Sequence, residues 1–234
     1  ELVLLHIWQV DEAQHHEGLW SPAAIRAIEN ADQQLARVFA AVSEAGIASE
    51  TAFVIASDHG FTHVSRQYHP AALLREAGLI TLDDKGKPTS YRASVSVNGG
   101  SAYVYLRDDR DGDLERKARA LFESRAGKPG SGIGRVLDRE QLRARGADPT
   151  AAFALEAEAD AYFGSNLQAY ETAAGSHATH GYDPQRADMQ ASLLWIGPGV
   201  RPGRREGTRL VDIAPTIARW LGLTLPDTDG RALD

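Results

Sequence analysis

Residues able to do metal chemistry fall in three places: Asp11 with His15, Asp58 with His59, and His177 with His180. Carboxylates and imidazoles are good ligands for a borderline cation such as zinc, which takes oxygen and nitrogen donors. Three such ligands gathered on neighbouring loops suffice for one ion, and five for a pair of ions acting on a phosphoryl group. Each cluster alone has an ordinary explanation. Asp58-His59-Gly60 reads as a turn after a strand, with Asp for its turn propensity and Gly for positive φ. Asp11-x-x-x-His15 reads as a helix-initiating acid followed by an exposed imidazole, and a histidine in a Gly-rich loop is usually only a loop residue. The ordinary explanations do not account for every cluster falling at an expected strand end or in a long loop without regular period.

The elements that must position these groups follow from hydrophobic patterning. Residues 53–56, FVIA, form a short apolar run expected to be a buried strand that stops on Asp58. Residues 2–8, LVLLHIW, predict a first strand, again followed by polar groups: Gln9, Asp11, His15 and His16. Between them, Ser21-Pro22 opens a helix, and Ile25, Ile28, Leu35, Val38, Phe39 and Val42 recur at helical spacing until Gly46. Strand, helix and strand in this order predict a βαβ unit with both polar strand ends on one edge of a parallel sheet. On a helical turn Asp11 and His15 would share a face, and that i,i+4 spacing favours His15 over His16.

Downstream, a short helix is expected over 70–77, strands over 79–82, 91–97 and 101–106, and a charged amphipathic helix over 111–125. The turn signals DDKGKP and NGG separate the strands. GKPGSGIG (127–134) is Gly-rich but lacks the ending of a phosphate-binding loop, so a nucleotide-cradling role carries little weight. A short helix over 138–145, strands over 152–163 and 192–196, and a last helix between Asp212 and Gly222 complete the reading. The predicted fold class is α/β, a mainly parallel sheet flanked by helices, with a small α+β excursion. Residues 1–78 and 164–234 would form the metal-binding core, and 79–163 an inserted subdomain.

Composition narrows the function. The chain has 234 residues, 43% hydrophobic and 24% charged, as in ordinary globular proteins. A net charge of −7 without a basic run argues against a nucleic-acid duplex as partner. There is no cysteine, so any metal must be held by oxygen and nitrogen. No apolar run approaches the roughly 20 residues of a membrane helix. Glu1 leads at once into an apolar run, without an initiator Met or polar lead-in, which suggests a chain that begins inside a domain.

Three stretches together carry a resemblance: VDEAQHH (10–16), SDHGF (57–61) and THGYDP (179–184). They are similar to the downstream metal motifs of the type I phosphodiesterase/nucleotide pyrophosphatase family, a branch of the alkaline phosphatase superfamily. ADMQASLLWIGPGVRPG (187–203) and LVDIAPTIARWLGLTLPDTDGRAL (210–233) fit the same branch, so the resemblance runs in order over nearly the whole chain. It implies an alkaline phosphatase-like fold and hydrolysis of phosphodiester or pyrophosphate bonds of a phosphate-ester small molecule, with a nucleotide expected. It also implies two divalent ions, zinc expected. Asp11, His15 and His180 would hold one ion, and Asp58 with His59 would contribute to the second. His180 is preferred to His177 because it directly precedes Gly-Tyr, and His177 stays as the alternative ligand.

In that family a Thr or Ser nucleophile and a further Asp come from an upstream half, which this chain lacks, so it is expected to be inactive or weakly active alone. Ser57 and Thr179 are poor substitutes within it. Other readings are a different member of the superfamily (phosphomonoesterase, phosphonate hydrolase or phosphoglycerate-mutase-like enzyme) or a metal-binding interaction domain without catalysis. A half-fold could also expose a sheet edge and pair into a homodimer.

Overall fold

The computed structural model describes residues 1–233. These divide into two compact units. One comprises residues 1–8, 30–58 and 191–234, and the other residues 9–29 and 59–190.

The second unit holds most of the core. Its main layer is a four-stranded antiparallel sheet in the order β6-β7-β9-β8, made of β6 (Ala93–Asn98), β7 (Ser101–Leu106), β8 (Ile133–Leu137) and β9 (Phe153–Ala157). It is preceded by β2 (Thr62–His63), β3 (Arg66–Tyr68), β4 (Ile80–Leu82) and β5 (Pro88–Tyr91), and by α1 (Gln9–Glu17) and α3 (Pro70–Glu76). The charged helix expected from the sequence is α4 (Gly112–Glu123), whose Leu114, Ala118 and Phe122 are buried while its other face stays charged. Asp111 caps it by accepting a hydrogen bond from the Leu114 N–H at 2.8 Å. Asp138 and Gln141 form a capping box at the start of α5 (Arg139–Ala144).

The expected strand over 152–163 is broken in two. β9 stays in the main sheet, while β10 (Ala161–Phe163) joins β3 and β11 (Glu171–Ala173) in a separate three-stranded sheet. Both pieces are buried on nearly every residue, so the apolar run reflects cover on two faces rather than alternation. A short β12 (Ala178–Thr179) pairs antiparallel with β2.

The other unit carries β1 (Phe53–Ala56), paired antiparallel with β13 (Leu193–Ile196), and α6 (Ile213–Trp220). The long helix α2 (Pro22–Glu44) has residues in both units. Its buried positions are Ala24 and Ala27, whereas Ile25 and Ile28, expected to face inward, are exposed.

The mainly parallel sheet is not what forms. Among the described residues β10–β3 is the one parallel pair, and the other ladders are antiparallel. The βαβ unit fails at its first strand: residues 2–8 enter no ladder, and Leu2, Val3, Leu4 and Leu5 are exposed. Among the described residues β1 therefore has β13 as its ladder partner and no parallel neighbour. Hydrophobic composition alone made residues 2–8 look like a strand, but a strand also needs a partner for its backbone.

Candidate metal centre

Helix α1 builds one side of the site. No residue of α1 is buried, and Asp11 and His15, one turn apart, face the same way with Asp11 Oδ2 3.7 Å from His15 Nε2. The loop after β1 brings His59, and the segment after β12 brings His180. Their Nε2 atoms lie 3.9 and 3.6 Å from Asp11 Oδ1. The imidazoles of His59 and His180 stack at 3.7 Å with 15° between their planes, and the His15 ring lies 5.1 Å from that of His180. Ligand atoms of Asp11, His15 and His180 all fall within 4.8 Å of one another.

Second contacts fix which nitrogen faces the carboxylate. His15 Nδ1–H donates to the Ala178 carbonyl at 2.9 Å, and His59 Nδ1–H to the Gly60 carbonyl at 3.1 Å. Each bond turns the Nε2 lone pair inward, the tautomer that a metal ligand needs. Backbone bonding is reciprocal across the same contact, because the His177 N–H donates to the His15 carbonyl at 3.0 Å.

The donor set fits a cation. Asp11 Oδ1 is fully buried and makes no hydrogen bond. A buried carboxylate oxygen without a donor is costly and calls for a partner. Its imidazole neighbours at 3.6 and 3.9 Å are too far for direct hydrogen bonds. They are close to the spacing of tetrahedral zinc ligands, which lie roughly 3.3–3.6 Å apart when bound at about 2.0–2.2 Å.

Not every expected residue joins this group. His177 and His16 are exposed, and His177 contributes its backbone rather than its ring. Asp58 is exposed at the end of its own unit. Ser57 Oγ accepts from the Ser192 N–H at 2.8 Å, tying it to the β1–β13 edge, and Thr179 is 4% exposed.

Two contributors escaped the sequence reading. Phe61 places its ring edge-on to those of His15 and His180, at 4.9 and 5.3 Å, and 5.7 Å from that of His59. Its position directly after the Asp58-His59-Gly60 motif was the available signal. Gly60 is required by a close approach rather than by its φ: a Cβ there would collide with the Asp188 carbonyl, and the Gly60 N–H donates to the Met189 carbonyl at 3.0 Å. Arg186 grips Asp188 with two hydrogen bonds, at 3.0 and 2.7 Å. That grip holds the Asp188 carboxyl below the usual carboxylate range.

No curated protein matches the chain. Among solved structures, human ectonucleotide pyrophosphatase/phosphodiesterase 5 matches with a TM-score of 0.68 and 20% identity, over 94% of this chain and 54% of that protein. The murine protein matches with the same score and coverage at 21% identity. An inactive threonine-to-alanine form of the murine protein in complex with AMP matches equally well, at 20% identity. At this identity the likeness shows the fold, and the chain spans 54% of the length of these relatives. The family model for type I phosphodiesterase/nucleotide pyrophosphatase matches residues 1–183, and the chain belongs to that family.

Proposed function

We propose that this chain holds a divalent ion, zinc by preference, through Asp11, His15 and His180, and that the whole protein uses it to hydrolyse phosphodiester or pyrophosphate bonds of nucleotides or related phosphate esters. The observation that carries this reading is the buried Asp11 Oδ1 without a hydrogen bond, faced by imidazole nitrogens. Membership of a phosphodiesterase family and the AMP complex of a structural relative support the substrate class. Asp58 and His59 are assigned to a second ion.

Bound divalent ions would supply Lewis acidity, lowering the pKa of an attacking hydroxyl and offsetting charge on the nonbridging phosphoryl oxygens. The chain's own residues do the positioning. His15 and His59, locked through Nδ1, present Nε2, and Phe61 limits the tilt of the rings. Two carboxylates against two divalent ions leave the site positive enough to draw in a phosphate ester. The attacking hydroxyl is assigned to a threonine or serine outside this chain. The chain's span of 54% of its relatives and the inactivity of the threonine-to-alanine relative support that assignment.

Elemental analysis of zinc per chain, for wild type and His180→Ala, tests the reading. About one zinc in the wild type and none in the variant is the expected result. No zinc in either, after zinc is offered, overturns it. The isolated chain should hydrolyse an activated phosphodiester feebly at most; fast zinc-dependent turnover lost in Asp58→Ala would overturn the assignment of the nucleophile elsewhere.

A further inference from the structure

The turn between β6 and β7 is a two-glycine tip, Gly99-Gly100, and it is interlocked with the segment that carries His180. The Gly100 N–H donates to the His180 carbonyl at 2.8 Å. Gly99 has φ +57, and a Cβ there would overlap the His180 carbonyl oxygen while lying 2.7 Å from Thr179 Oγ1. On Gly100 a Cβ would fall inside the Tyr182 ring, and on Gly181 it would collide with the Asn98 carbonyl. Three glycines, on both sides of one contact, thus bring two backbones closer than any side chain allows. The tip is itself anchored. Gly99 and Gly100 carbonyls accept from the Phe163 and Ala157 N–H groups, at 2.8 and 2.9 Å, and Tyr182 Oη–H donates to the Ala161 carbonyl at 2.5 Å.

His15 and His59 have Nδ1 bonds that set their rings. His180 is held through its backbone as well, by the Gly100 N–H at the tip of the main sheet. We propose that the Gly99-Gly100 tip is the positioning element for His180, setting its distance to Asp11 and His15 and thereby the affinity and coordination geometry of the metal. This rests on the metal reading of Asp11, His15 and His180 given above. The tip touches no reacting atom.

The test uses the full 234-residue chain and Co²⁺, whose visible absorption reports coordination geometry, with zinc affinity measured by competition against a chromophoric chelator. The key variant is Gly99→Ala. Its control is Gly146→Ala, which carries the same kind of backbone strain at φ +66 but meets nothing within 4 Å of the added Cβ. We expect Gly146→Ala to keep wild-type affinity and the wild-type Co²⁺ spectrum. Gly99→Ala should bind about 10- to 100-fold more weakly, the range for lost support behind a metal ligand, with an altered spectrum.

Equal affinity and equal spectra in both variants and wild type would overturn the positioning role while leaving the metal reading intact. Equal weakening in both variants would do the same, because strain alone would then explain it. A wild type that takes up neither ion overturns the metal reading and this role with it. Should Gly99→Ala not fold, Tyr182→Phe removes only the bond to the Ala161 carbonyl. It should give a smaller weakening with a shifted spectrum, and an unchanged Co²⁺ complex there would equally overturn the proposal.

Discussion

The two units differ in how they treat their apolar residues. In the unit of residues 9–29 and 59–190, Tyr68, Leu74, Phe122, Ile133, Phe153 and Leu155 are sealed into a common core behind the antiparallel sheet. The other unit leaves Leu2 to Leu5, Trp8, Leu194, Ile196, Leu223 and Leu225 exposed, and its fully buried side chains include the polar Asp212 and Thr216. There hydrogen bonds knit a buried polar node, beside the ring pairs Phe39–Phe53 and Trp195–Trp220. Asp212 accepts from the Arg209 and Arg231 N–H groups at 3.0 Å each, while Thr216 Oγ1–H donates to the Asp212 carbonyl at 2.6 Å. The residues assigned to the first metal ion all lie in the densely packed unit, and Asp58, assigned to the second, lies in the other. Ligands within a packed frame are held before a metal arrives, which favours binding; ligands outside one must be ordered by it.

That contrast can be broken by mutation. Leu155→Ala, in the centre of the main sheet, should lose about 2–5 kcal/mol in a denaturant melt. A loss below about 1 kcal/mol would show that the core is not what holds this unit together. Next in size, zinc at a hundredfold excess over its Kd should stabilise the chain by about 2.7 kcal/mol if it binds only the folded form. Asp58→Ala should leave that gain in place, and His180→Ala should abolish it. If Asp58→Ala also removes the gain, the two ions are not separable as described.

A smaller effect is expected from acid. His69 is buried, its Nδ1 accepts from the Asn166 N–H at 3.0 Å and its Nε2–H donates to Thr172 Oγ1 at 2.8 Å, so the neutral ring is the one that fits. Burial lowers its pKa below the ordinary 6.5. The unfolded chain then takes up a proton first as pH falls. Its stabilising contribution is therefore complete above about pH 6.5 and is lost as pH drops through the lowered folded value. His69→Gln should flatten the fall in melting temperature below pH 6.5, and an unchanged acid profile would exclude His69 as its source. The smallest effect belongs to the exposed unit. Leu194→Ala, at a side chain 52% exposed, should change stability by no more than about 0.5 kcal/mol.

Local chemistry was legible in the sequence, and long-range pairing was not. Asp11 and His15 could be placed on one face because four-residue spacing has a single meaning on a helix. The α4 face and the turn at Gly99-Gly100 were equally readable, since caps, periodicity and paired glycines act within a few residues. Residues 2–8 misled because an apolar run says nothing of whether a partner strand lies beside it. The break between β9 and β10 was hidden for a related reason: each piece is covered on both faces, so alternation disappears where the chain turns. Phe61 and Gly60 owe their roles to contacts with His15, His180 and Asp188, none of them a sequence neighbour. Within GKPGSGIG, Gly132 packs against the Tyr68 ring and Tyr68 Oη–H donates to the Gly130 carbonyl at 3.0 Å, contacts far apart in the chain that the sequence does not announce.

Helix α1, which has no buried residue yet carries the two proposed ligands Asp11 and His15, sets a rule for how this protein can change over generations. Its intervening positions, Glu12, Ala13 and Gln14, are open to substitution, because no core depends on them. Its length between Asp11 and His15 is not. One residue inserted or deleted there would swing one side chain about 100° around the helix axis relative to the other, and no side-chain exchange elsewhere could undo that rotation. If the proposed metal site is right, lineages descended from this protein should therefore drift freely in the letters between Asp11 and His15 and not at all in their number.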